Sequence, residues 1–166
     1  MKDSSKKEIK VLMVCLGNIC RSPVAEGILR AKALERKLPV KTDSAGTSNY
    51  HIGEAPDKRS SGNALMNGID ISDLRARQFN RNDLDHFDRI YVMDQNNLQD
   101  VNSIGKNHPH LSKVKMILDE IYPGQSKPVP DPYFGGSEGF QLVYELLDKA
   151  CEKIMIDLEK EISEPT

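Results

Sequence analysis

Cys15 stands six positions ahead of Arg21 in Cys-Leu-Gly-Asn-Ile-Cys-Arg, and Ser22 and Pro23 follow at once. Residues 9–15 (Ile-Lys-Val-Leu-Met-Val-Cys) form a short branched run that reads as a strand buried on both faces. Pro23 suits a first helical turn. A loop set between a strand end and a helix start can curl its backbone N–H groups around one point, where the helix N-terminus adds partial positive charge. Such a nest takes a tetrahedral dianion such as phosphate. The planar guanidinium of Arg21 can grip two phosphate oxygens, with the sulfur of Cys15 beneath, aimed at phosphorus. A cysteine in such surroundings is held as the nucleophilic thiolate, and the Ser22 hydroxyl can donate to it. The loop is not a Walker loop, because it lacks the second glycine and the Lys-Ser/Thr pair. The plain alternative is a buried strand-end cysteine beside a surface arginine. Spacing alone does not separate the two.

The elements around this loop must hold it in place. A helix is predicted from about Ser22 to Lys37, with Val24, Ile28, Ala31 and Leu34 at helical spacing and Leu38-Pro39 as its end. Val40–Ala45 reads as a second strand, and Asp57–Asn67 as a helix opened by Pro56 and stopped by Gly68. Arg89–Met93 and Val114–Leu118 are two further strand candidates, with Asp94–Val101 helical between them. Glu138–Ile162 places Phe140, Val143, Leu147, Ala150, Ile154, Leu158 and Ile162 on one helical stripe. Strands alternating with helices predict an α/β fold of parallel β-α-β units. The expected architecture is an open, doubly wound, four-stranded flavodoxin-like sheet with helices on both faces. Ligands of such sheets lie beyond the carboxyl ends of the strands, where the strand order switches. That points again to Leu16–Ser22. Residues 1–166 read as one domain, with 1–8 as a flexible N-terminal extension.

Composition removes several function classes. The formal net charge is −2, so no whole-chain field attracts a nucleic-acid backbone. The longest apolar run, Val11–Leu16, is far below the roughly 20 residues of a membrane span. The lysines of Met1–Lys10 suggest a signal peptide, but Gly17 and Asn18 break the apolar run and Arg21 precedes any cleavage site. Cys15, Cys20 and Cys151 are an odd set without a disulfide framework, which suits a reduced, cytoplasmic setting. Asn107-His-Pro-His110 has no Cys or carboxylate cluster nearby, so no metal site is expected.

Val14-Cys-Leu-Gly-Asn-Ile-Cys-Arg-Ser-Pro23 closely resembles the phosphate loop of the low-molecular-weight protein tyrosine phosphatases. Asp131-Pro-Tyr-Phe-Gly-Gly136 resembles that family's C-terminal Asp-Pro-aromatic segment. Asp43–Thr47, Gly53–Asp57, Ala76–Gln78 and Tyr91–Asp94 follow in family order, so the likeness spans about residues 9–160. The resemblance implies hydrolysis of phosphotyrosine in proteins, through a phosphocysteine intermediate and without cofactor or metal. It assigns Cys15 as nucleophile, Arg21 as phosphoryl clamp and Asp131 as general acid and then base. Leu16, Gly17, Asn18, Ile19, Cys20 and Ser22 complete the phosphate-binding loop, and Ser44 anchors Asn18 together with Ser22. Ile19, Tyr50 and Tyr133 would line an aromatic slot. Phosphotyrosine proteins are the implied partners, and inorganic phosphate the product and inhibitor; neither nucleic acid nor membrane is expected. Cys20 would trap an oxidised Cys15 as a disulfide, or simply pack against the sheet.

The chain departs from the family pattern at three places. A histidine supports the loop in many relatives shortly before Ala-Arg-Gln, where Ser72 and Asp73 stand here. Phe134 replaces a second tyrosine, and His51 follows Tyr50 at the rim. A protein arginine phosphatase on the same fold is the nearest alternative, disfavoured by the apolar Ile19. An arsenate reductase would need a further cysteine pair, and residues 70–100 hold no cysteine. A phosphocysteine carrier subunit would have no use for Asp131, and a flavin-binding module would favour a Ser/Thr-rich loop.

Overall fold

Residues 7–133 and 135–164 are described by a computed structural model. Most of the expected N-terminal extension, residues 1–6, lies outside the described residues, as does Phe134. Four strands, β1 (Ile9–Cys15), β2 (Val40–Gly46), β3 (Arg89–Val92) and β4 (Val114–Met116), form one parallel sheet in the order β2-β1-β3-β4. The helices are α1 (Arg21–Arg36), α2 (Lys58–Met66), α3 (Asp83–His86), α4 (Gln95–Ile104) and α5 (Ser137–Ser163). The chain crosses from β1 to β2 on one side and later returns to lay β3 on the other. The carboxyl ends of β1 and β3 therefore flank the switch point.

Side chains alternate across a strand, so β1 feeds two separate cores. Val11, Met13 and Cys15 pack with Val24, Ala25, Ile28 and Leu29 of α1 and with Leu147, Ala150, Ile154 and Leu158 of α5. Leu12 and Val14 face the other way, against Leu84, Phe87, Ile90, Val92 and Val101. Both faces are covered, which accounts for a continuous apolar β1 rather than an alternating one. The α5 stripe read from the sequence is buried from Phe140 to Leu158, with Ile162 partly buried at the end.

The structure corrects several expectations. In α1 every residue from Arg21 to Leu29 is buried, so no single stripe marks its first half. Beyond it Ala33 is the buried residue, and Leu34 is 74% exposed. Arg89–Met93 loses Met93, whose N–H is taken by the Asn97 side chain at 3.2 Å rather than by a ladder partner. The β4 strand stops at Met116 and turns into a 3-10 helix over Ile117–Glu120. Helix α4 begins after Asp94, which caps it in a reciprocal box with Asn97, and runs on to Ile104. The short polar helix α3 carries no apolar period and was not anticipated from the sequence.

Gly27 shows how closely α1 is packed. A Cβ built there would lie 2.4 Å from Cγ2 of Ile71, a fully buried side chain. Glycine-to-alanine in a helix interior ordinarily stabilises by up to about 1 kcal/mol. Overpacking a tight contact costs roughly 1–3 kcal/mol, so here it should win. Gly27→Ala is therefore expected to lower the urea midpoint. A raised midpoint would show that Ile71 yields freely.

Candidate active site

The chain leaves β1 at Cys15 and turns through residues 16–20 into α1. Three groups make this turn possible. Asn18 sits at φ 59°, the left-handed region that asparagine tolerates better than most residues. Gly46, at the end of β2, passes so close that a Cβ would lie 2.7 Å from the Leu16 carbonyl oxygen and 3.0 Å from the Asn18 nitrogen. Thr47 and Ser48 then donate backbone N–H groups to the carbonyls of Cys15 and Leu16, each at 2.9 Å. The loop thus rests on the backbone of the neighbouring strand. Only a residue without a side chain fits there.

The Asn18 carboxamide is fully used. Its Oδ1 accepts the Arg77 N–H at 3.0 Å, which orients the amide, and its Nδ2 donates to Ser22 Oγ at 2.8 Å and Ser44 Oγ at 2.9 Å. An amide nitrogen only donates, so each serine oxygen accepts from Asn18 and must send its own proton elsewhere. The Ser22 proton points to Cys15 Sγ, 3.0 Å away, and the Ser44 proton to Glu26 Oε1 at 2.6 Å. The Asn18 N–H also donates to Cys15 Sγ, at 3.2 Å. The sulfur therefore receives two hydrogen bonds suited to a thiolate or a departing thiolate.

Helix α1 begins without a side-chain cap and without an acidic residue in its first turn. Such an N-terminus favours an anion. Arg21, only 2% exposed, lies in this first turn. Its Nη1 donates to Asp94 Oδ2 at 2.7 Å and to the Val129 carbonyl at 2.9 Å. A buried guanidinium requires such partners. Val129 in turn donates its N–H to the Met93 carbonyl at 2.8 Å, so the end of β3 anchors the segment that carries Asp131. Asp131 Oδ2 lies 3.8 Å from Arg21 Nη2, and its Oδ1 accepts the Tyr133 N–H at 3.1 Å. Its side chain remains 43% exposed.

These groups meet in one cleft of about 200 Å³. Of the catalytic, loop and pocket residues expected from the sequence, Cys15, Leu16, Gly17, Ile19, Cys20, Arg21, Tyr50, Asp131 and Tyr133 line it, while Asn18, Ser22 and Ser44 support the loop by hydrogen bonds. Ile19 packs with Cys20, Ala76 and Phe140 while also facing the cleft. Tyr50 is 74% exposed, and Tyr133, also lining the cleft, has Arg59 over its ring. His51 also lines the cleft, with its Nδ1 3.1 Å from the Glu54 carboxylate. Burial, then the charge of Asp57, pushes the Cys20 thiol up to about 12, so at neutral pH it is a thiol. Cys151 is fully buried, and its Sγ lies 3.7 Å from the Ala25 carbonyl.

Several site residues escaped sequence reasoning. Asp94 offered a signal, since it follows β3 at the switch point beside β1. Gly46, Glu26 and the Arg77 N–H offered none, because each acts through long-range contact. Ser72 and Asp73, near where many relatives have a histidine, are engaged elsewhere: the Ser72 N–H bonds Asp70, and Asp73 pairs with Arg30. Glu26 and the Arg77 backbone provide the support instead. Among the described residues no group of three or more His, Cys, Asp or Glu is placed to hold a metal ion, and no helix is long and apolar enough to cross a membrane.

Comparison with known proteins places this geometry. Residues 10–164 match the family model described as low molecular weight phosphotyrosine protein phosphatase. The low molecular weight protein-tyrosine-phosphatase YfkJ of Bacillus subtilis is 40% identical over 157 residues, covering 92% of this chain and 97% of that protein. Among solved structures, a protein tyrosine phosphatase from Entamoeba histolytica with Hepes in its active site superposes with a TM-score of 0.85. It is 35% identical over 93% of this chain and 99% of that one. A Drosophila arginine phosphatase superposes with a TM-score of 0.84 at 30% identity, covering 91% and 98%. With the family model spanning nearly the whole chain and the sulfur, guanidinium and carboxylate in one cleft, this protein belongs to the low molecular weight phosphotyrosine protein phosphatase family.

Proposed function

We propose that the chain hydrolyses phosphotyrosine in proteins, and small aryl phosphates, through a phosphocysteine intermediate on Cys15. The observation that carries this reading is the cleft itself. Cys15 lies at an uncapped helix N-terminus beside buried Arg21, with Asp131 lining the same cleft. Cys15 Sγ attacks phosphorus and forms the S–P bond as the bond to the phenolic oxygen breaks. Asp131 passes its proton to that oxygen. Water then attacks phosphorus while Asp131 takes up its proton, and the S–P bond breaks to return the thiolate and inorganic phosphate. Ser22 and the Asn18 N–H stabilise the departing sulfur. Asp94 and Val129 fix one arm of Arg21 and leave the rest of the fork for two phosphoryl oxygens.

Substrate choice follows from depth and wall chemistry. Ile19, Tyr50 and Tyr133 line the cleft together with Cys15, and the proposed slot has Cys15 as its floor. A phosphoserine side chain is too short to reach that floor, and it forfeits apolar burial of about 25 cal/mol per Å². A phosphoarginine reaches it, but its polar guanidino group meets Ile19. The similarity to an arginine phosphatase makes arginine the competing substrate to test. Proteins carrying phosphotyrosine are the proposed partners, and inorganic phosphate the product and competitive inhibitor. Three unpaired cysteines and a thiolate nucleophile suit a reducing cytoplasm.

Three outcomes test this reading. Cys15→Ser should abolish turnover while phosphate still binds; hydrolysis by a verified variant would sink the phosphocysteine step. Asp131→Asn should slow phosphotyrosine cleavage by roughly 10²–10⁴-fold, with less loss for aryl phosphates of low leaving-group pKa. Equal loss across a leaving-group series would remove Asp131 as the acid. Phosphotyrosine peptides should be cleaved far faster than phosphoserine and clearly faster than phosphoarginine peptides, with Ile19→Thr narrowing the second gap. An unchanged ratio would make Ile19 mere packing.

A further inference from the structure

Glu26 projects from α1, one turn beyond Ser22, and is only 6% exposed. Its Oε1 accepts the Ser44 hydroxyl proton at 2.6 Å. Four hydrogen bonds then join it to the nucleophile: Glu26 to Ser44, Ser44 to Asn18, Asn18 to Ser22 and Ser22 to Cys15. The charged groups around it are Arg30 one turn along α1, Asp43 on β2 and Asp73 on the segment after α2. Arg30 is committed to both carboxylate oxygens of Asp73, at 3.0 and 3.1 Å, and to the Asp70 carbonyl at 3.1 Å. Asp43 is held by Arg77 at 3.0 and 3.1 Å. A buried carboxyl with two acidic neighbours and no cation of its own favours the proton. Burial first, then the charges of Asp43 and Asp73, raise Glu26 to about 7, against the lowering by Ser44 and Arg30.

We propose that Glu26 is a positioning residue whose proton sets how tightly the loop holds a dianion. Protonated, it is a neutral anchor for Ser44 and through it for Asn18. Ionised, it keeps that bond but adds a negative charge behind a loop that must hold a thiolate and a phosphoryl dianion. It never touches substrate. The inference rests on the reading of residues 15–22 as the phosphate site. Linkage gives a second consequence for stability. A carboxyl raised from 4.5 in the unfolded chain to about 7 in the folded one contributes stability that is full below the lower value and lost as pH rises through the upper.

The test is the inhibition constant of inorganic phosphate for wild type and Glu26→Gln from about pH 5.5 to about pH 8.5, at the ionic strength of the assay. The ratio between the two proteins cancels the ionisation of free phosphate. It should be near one at the acid end and reach on the order of tenfold in favour of Gln at the alkaline end. Between unit charges about 10 Å apart at an effective dielectric constant of about 20 the interaction is of that scale, and a dianion raises it. The melting temperature of Glu26→Gln should rise relative to wild type over the same interval. Glu26→Ala should lose kcat at every pH, with Gln restoring it at the acid end. A ratio independent of pH, or Ala equal to Gln throughout, would overturn the proposal. If the variants do not fold, the Glu26 carboxyl can be titrated by ¹³C NMR in wild type with and without phosphate. Reciprocity requires phosphate to raise the midpoint, and an unmoved midpoint overturns the idea. Failure of wild type to bind phosphate even at the acid end would reject the phosphate-loop reading itself. Binding without the pH-dependent gap would reject only the role of Glu26.

Discussion

Everything in this site depends on one carboxamide. Asn18 stands in a left-handed conformation that costs free energy, and its three hydrogen bonds make that conformation the stable one. Because its nitrogen only donates, it also dictates where the protons of Ser22 and Ser44 go. One proton is aimed at the Cys15 sulfur and the other at Glu26. A single side chain thus sets both the shape of the loop and the polarity of the hydrogen bonds that converge on Cys15. The support is rigid because it comes from three separate stretches of chain: β2, α1 and the backbone at Arg77.

The second constraint is charge. A molecule with a net charge of −2 attracts a dianion only through local arrangement. The site achieves this by burying one guanidinium and leaving one helix N-terminus uncapped. The buried charge needs a counter-charge, which Asp94 provides, yet a full set of partners would leave nothing for substrate. Two groups hold one nitrogen of Arg21, while the other nitrogen lies 3.8 Å from Asp131. The same interior contains a carboxyl on Glu26 that is kept neutral by its surroundings as long as pH allows. Anion binding here is a balance of buried charges of both signs.

The chain superposes on both a tyrosine phosphatase and an arginine phosphatase, so the fold they share does not by itself select the substrate. The sheet, the loop and the uncapped helix are matters of backbone, and backbone handles the phosphoryl group common to both substrates. On the proposed reading the leaving group meets only the walls, which Ile19, Tyr50 and Tyr133 help to line. A fold can therefore be shared across chemistries that differ in the atom bonded to phosphorus.

The sequence by itself determined what local pattern can encode. The apolar run before Cys15, the proline after Arg21 and the long stripe of α5 were legible because period and punctuation mark strands and helices. The resemblance then brought Asp131, distant in sequence, to the same chemistry. Buried positions such as Arg21–Leu29 of α1 hid their true packing face, since a helix covered on every side carries no stripe. Short polar α3 and the early end of β4 were likewise invisible, because single tertiary hydrogen bonds and strand neighbours set them rather than propensity. Only the tertiary structure revealed that Gly46 makes room for the loop, that Asp94 and Val129 hold Arg21, and that Glu26 holds the Ser44 hydroxyl behind the loop. Each of these depends on atoms a few ångströms apart in space and between 18 and 108 positions apart in the chain, a distance that no pattern along the sequence records.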